Sequence, residues 1–117
     1  MVSEILSEIK DIQIDDDRPL LKVAFLKGFI LYIRFNDFNE YSYQLIFSQK
    51  PNDRIRYDNF DDRWQVNSRP HHLHPRNETI AVESPMQGNP EHDVPILVRM
   101  ILTETKKISM VERHTGI

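Results

Sequence analysis

Apolar and polar residues change period several times along these 117 residues, and each change marks an element. Near the start, Val2, Ile5, Leu6 and Ile9 recur at three- and four-residue intervals, the spacing of one helix face, with Ser3 placed to cap the turn. This predicts a helix near 2–10, after which Ile12 and Ile14 alternate with polar neighbours as a strand would. The runs LLKVAFLK (20–27) and FILYIRF (29–35) flank Gly28, a residue that tolerates the positive φ of a tight hairpin. In the second run Phe29, Leu31, Ile33 and Phe35 share one face, with Ile30, Tyr32 and Arg34 on the other. YSYQLIFS (41–48) repeats the alternation with Tyr41, Tyr43, Leu45 and Phe47, and RIRYD (54–58) follows. Joined by the turns NDFNE and QKPND, these runs predict an antiparallel meander.

Beyond Asn59 the alternation gives way to a polar stretch, and TIAVE (79–83) then offers one more short strand. Pro85, Gly88 and Pro90 mark a loop. Val94, Leu97, Met100, Ile101 and Ile108 form the stripe of a helix near 94–107 that begins between Asn89 and Pro95, where proline is acceptable in a first turn, and residues 110–117 read as a flexible tail. The expected fold class is α+β. It is a single two-layer domain over 1–117, an antiparallel meander sheet of about five strands with an N-terminal and a C-terminal helix packed on one face.

Composition narrows the function classes. Hydrophobic residues make up 39% and charged residues 28%, which suits a soluble globular chain, and no apolar run is long enough to span a membrane. The first residues lack a basic region followed by an apolar stretch, so a cytoplasmic location is the default expectation. Without cysteine there is no disulfide, thiolate metal site or cysteine nucleophile. Gly28, Gly88 and Gly116 form no phosphate-binding glycine loop, so no nucleotide cofactor is expected. The net charge of −3 opposes broad attraction to nucleic acid, yet no acid occurs from Arg63 to Asn77. That window suits a phosphate-bearing ligand, or else a solvated loop.

Inside it lies RPHHLHP (69–75), with three of the five histidines. If the stretch is extended, His72 and His74 point one way and His71 the other. The H-x-H pair is a weak metal signal, since a catalytic site wants a third ligand, which Asp58, His92 or Glu83 could supply only if folding brings it close. No metal is expected. Acid–base chemistry needs less. One imidazole takes a proton from a 2′-hydroxyl, a second protonates the leaving oxygen, and arginine stabilises the charged phosphorane. The candidate catalytic residues are His71, His72, His74 and Asp58, the last as an orienting partner for a histidine or simply the close of a turn. Candidate substrate contacts are Arg69, Arg76 and Arg56, with Tyr57 and Trp64 as stacking surfaces or, alternatively, as packing residues. Truncating a histidine in such a polar loop should cost little stability, within about 0.5 kcal/mol.

The order of short helix, meander, YSY strand, RYDN, PHHLH, short strand and terminal helix resembles the TumE family of small toxins from prokaryotic toxin–antitoxin pairs. The matching positions are Tyr41 and Tyr43, then Arg56, Tyr57, Asp58 and Asn59, then Pro70, His71, His72 and His74. The resemblance extends over roughly residues 1–105, with its specific part at 41–74. One departure stands out: the family pattern carries a proline and paired histidines soon after RYDN, where this chain has FDDRWQVNSR. The resemblance implies a toxin whose partner is a small helix-turn-helix antitoxin, with a homodimer left open. RNA as the substrate of a metal-independent ribonuclease follows from the histidine and arginine chemistry and from analogy with such toxins. The alternatives are a non-catalytic module that binds an anion or a protein, and a histidine-based metal-binding protein.

Overall fold

A computed structural model describes residues 2–17, 19–60 and 64–115; Arg63 and the last two residues of the expected tail lie outside this range. The elements in chain order are α1 (Val2–Glu8), β1 (Ile9–Asp15), β2 (Leu20–Phe25), β3 (Ile30–Phe35), β4 (Tyr41–Ile46), β5 (Arg54–Asp58), β6 (His72–His74), β7 (Val82–Glu83) and α2 (Pro90–Thr115). The strands form one antiparallel sheet in sequential order from β1 to β7, the expected meander with seven strands rather than about five.

The differences have local causes. Helix α1 stops at Glu8 because Ile9 onwards pairs with β2, from Ile9↔Phe25 to Asp15↔Leu20, with a register shift between Ile9 and Asp11. The histidine stretch is a strand because its backbone pairs with β5 on one side and β7 on the other. The expected strand at 79–83 shrinks to Val82–Glu83. Turns fall where they were expected, with Gly28, Asn39 and Asn52 all at positive φ, a region that glycine and asparagine enter at least cost.

Helix α2 starts at Pro90, inside the expected window from Asn89 to Pro95, and runs on to Thr115. Asn89 caps it, its side-chain Oδ1 accepting from the Glu91 amide and its carbonyl from the Asp93 amide. Pro90 takes the first helical position, where a missing amide costs nothing, whereas Pro95 sits one turn further in.

Both helices lie on one face of the sheet. Ile5 of α1 and Ile101 of α2 pack with Val23, Phe25, Phe29, Leu31 and Leu45, while Leu97 packs with Tyr41, Tyr43, Tyr57 and Met86. Leu97 and Ile101 are each 2% exposed, and burial of such side chains is worth about 1.5–3 kcal/mol apiece. Val94, on the same expected stripe, stays exposed. The opposite face of the sheet carries no helix among the described residues, and the functional candidates sort by face.

Candidate functional site

Two sequence patterns build the site. In RIRYD, period-two alternation turns Ile55 and Tyr57 to the helix-covered face and Arg54, Arg56 and Asp58 to the uncovered one. In HLH, Leu73 faces the core cluster, and His72 and His74 face the other way. The antiparallel register sets Asp58 opposite His72 and Arg56 opposite His74, so the four side chains occupy the corners of a small square.

At its centre is the Asp58 carboxylate, 1% exposed. Arg56 Nε lies 2.6 Å from Oδ2 and His72 Nε2 lies 2.5 Å from Oδ1, while His74 Nε2 is 3.8 Å from Oδ2. Arg56 Nε, Asp58 Oδ2 and His72 Nε2 are buried without a partner at hydrogen-bonding angles, so charge rather than directed bonding holds them together. His72 Nδ1 lies 3.0 Å from the Pro70 carbonyl. A carbonyl only accepts, so His72 Nδ1 donates in that contact. His72 is 1% exposed and presents no surface to a substrate.

His74 can. Its ring, 17% exposed, stands edge-on to His72 at 4.9 Å and to Trp64 at 5.4 Å between centroids. Burial first, and then the Arg56 guanidinium, push its pKa below the ordinary imidazole value against the opposing pull of Asp58. His74 is therefore a neutral base at pH 7. It opens on a polar cavity of about 190 Å³, lined also by Arg54, Arg56, Trp64, Asn52 and Glu78.

The other expected site residues lie elsewhere. His71 points to the helix-covered face, where its Nδ1 is 2.8 Å from the Tyr41 hydroxyl and the two rings stack. Tyr57 is buried in the core behind Asp58, so no base can stack on it. Arg76 is tied to Asp53 at 2.6 Å and lies over the Phe47 ring, bracing two turns. Arg69 is exposed, away from the cavity lining. Of the third ligands considered, Asp58 joins His72 and His74, whereas His92 bonds Asp93 and Glu83 accepts from Asn67.

Two contributors were missed in the sequence. Arg54 was legible in the alternation of RIRYD. Asp93 was not: fully buried, it accepts from the Tyr43 hydroxyl at 2.7 Å and from the Gln87 and Gly88 amides. Burial pushes its carboxyl pKa up, but hydrogen bonds from His92, Tyr43 and the two amides outweigh that and hold it below the usual range. It fixes the loop and the start of α2 beneath the sheet.

A family model described as Toxin TumE matches residues 3–108. The chain belongs to the TumE toxin family. No curated protein and no solved structure matches it. In this TumE chain the match spans the Arg56–Asp58 strand and the His72–His74 strand alike, so the square of side chains lies wholly within the family region. Trp64 lies beside the two imidazoles, its ring centroid 6.3 Å from that of His72 and 5.4 Å from that of His74.

Chemically, the TumE site offers a neutral imidazole at a cavity mouth, a guanidinium beside it, and a buried Asp–His pair that anchors both. The ligand atoms of Asp58, His72 and His74 lie within 4.8 Å of one another, close enough to hold a metal ion. Arg56 competes for that position, with Nε on Asp58 Oδ2 and a terminal nitrogen 3.4 Å from His74 Nε2.

Proposed function

We propose that this TumE-family protein is the toxin of a toxin–antitoxin pair and cleaves RNA in the cytoplasm without a metal. The observation that carries the reading is the convergence of His74, Arg56 and Arg54 on one polar cavity, with His72 and Asp58 buried behind them. Once the phosphate draws the Arg56 terminal nitrogen off His74 Nε2, 3.4 Å away, that ring nitrogen takes the proton of a ribose 2′-hydroxyl, and the 2′-oxygen attacks the adjacent phosphorus. The bond to the 5′-oxygen breaks, leaving a 2′,3′-cyclic phosphate, and the departing oxygen takes its proton from solvent. Arg56 and Arg54 balance the charge that builds on the phosphorane oxygens. Asp58 and His72 are positioning residues that hold Arg56 and His74 in register. This departs from a two-imidazole scheme, because His71 faces the other side of the sheet.

A helix-turn-helix antitoxin is the partner proposed on family grounds. Expressing the toxin alone tests the reading. Wild type should arrest growth and degrade RNA, whereas His74→Gln and Arg54→Gln should do neither while melting within a few degrees of wild type. Toxicity undiminished in both variants would refute it.

A second reading, a metal centre, is favoured by the buried, unpartnered ligand atoms of Asp58 and His72. It requires the Arg56 guanidinium to swing out of the position it occupies. Loss of activity on chelation with recovery on adding zinc or manganese would establish it in place of the first.

A further inference from the structure

Strand alternation sorts the charges of this sheet by face. From β2 to β5 the helix-covered face carries only uncharged residues, among them Leu21, Val23, Leu31, Tyr43 and Ile55. The uncovered face carries Lys22, Arg34, Arg54 and Arg56 against one acid, Asp58, which Arg56 already pairs. Among the described residues no ion pair joins Lys22, Arg34 or Arg54 to an acid. Lys22 instead lies 5.9 Å from the Tyr32 ring centroid. Asp11 and Asp15 border this strip on the edge strand β1.

The register aligns the cations with the site. One row runs Lys22, Tyr32, Gln44, Arg56, His74, and its neighbour runs Leu20, Arg34, Ser42, Asp58, His72. At about 4.8 Å per strand, the first row extends roughly 19 Å from Lys22 to His74. Arg34 also lines a depression of about 290 Å³ with Leu20 and Phe60, whose ring is 48% exposed. Cations that follow a strand backbone, with exposed rings on which bases stack, are the recognition chemistry of single-stranded nucleic acid. A duplex keeps its bases stacked on one another and has no use for such rings.

We infer that the uncovered sheet face is the track for a single-stranded RNA, with Lys22 and Arg34 on its phosphates and Phe60 stacking a base beyond the Arg56–His74 site. This rests on the reading that the site acts on RNA, and the test separates the two. The probe is a fluorescent RNA of about ten nucleotides, 2′-O-methylated throughout so that no 2′-oxygen can attack, titrated at several salt concentrations with wild type, Lys22→Gln, Arg34→Gln and Phe60→Ala. Each neutralised cation should flatten the log–log salt dependence by about 0.7, and Phe60→Ala should weaken binding roughly ten-fold at every salt concentration. Lys106→Gln, an exposed lysine of α2, should leave the slope unchanged. All three variants replace side chains that are exposed or half-exposed, and thermal melts verify their folding. Wild-type slopes in both cation variants, or no binding by wild type, would overturn the inference. Altered slopes alongside undiminished RNA cleavage by His74→Gln would instead uphold the track and sink the catalytic reading.

Discussion

His72 and His74 are two positions apart in sequence, share a face, and have opposite relations to solvent. Truncation of either was expected to be nearly free, on the view that both sit in a polar loop. The 1% exposure of His72 against Asp58 reverses that for one of them. Removing one partner of a buried charged pair typically costs about 3–5 kcal/mol, so His72→Ala should show that loss in urea denaturation, while His74→Ala should lose about 1 kcal/mol. Equal midpoints for the two variants would contradict the buried Asp58–His72 pair. His74 also sets a pH dependence. Its folded pKa lies below 6.5, so the free base persists in mildly acidic solution. Cleavage should hold as pH drops to 6.5 and fall away only below it. The same shift means the unfolded chain takes the proton first, so this group's share of stability is lost as pH falls below 6.5. An activity midpoint above 6.5 in a pH–rate profile would assign the base elsewhere.

At the scale of elements, Asp93 joins the sheet to α2. Asp93→Ala strands the Tyr43 hydroxyl and the Gln87 and Gly88 amides, and should destabilise by about 3 kcal/mol in chemical denaturation. Because its carboxyl pKa is held below 3.8, the stabilisation is complete above that value and disappears as pH falls through the folded pKa. The acid-induced loss of stability should therefore be shallower in Asp93→Asn, which has no proton to take up at that site, followed by circular dichroism. Such a link was invisible in the sequence, because Tyr43 and Asp93 are fifty positions apart and nothing local pairs them. What alternation governs was legible: the core β2–β5 strands, their turns, the stripe of Leu97 and Ile101, and the common face of His72 and His74. The short strand β6 was not, since it is set by pairing with its neighbours rather than by apolar period, and β7 was legible only as part of a longer run at 79–83. Alternation also set His71 on the opposite face from His72 and His74, where it lies against Tyr41, although His71 was still counted among the catalytic candidates.

At the scale of the whole molecule, the sheet separates two tasks. One face buries the core under α1 and α2, and the other collects the arginines, Lys22 and the two site imidazoles. This explains how a chain of net charge −3 can present a basic surface. Most of the described acids lie on the helices, the turns and edge strand β1, with Glu78 the acid among the residues that line the Arg56–His74 cavity. The most direct test of RNA cleavage at that cavity is digestion of a defined single-stranded RNA by purified wild type and His74→Gln, both with chelator present, scored for rate and for the chemistry of the new ends. Wild type should generate 2′,3′-cyclic phosphate termini, and His74→Gln should be slower by about 10²–10⁴-fold. Intact RNA after incubation with wild type, or equal rates for the two proteins, would contradict it.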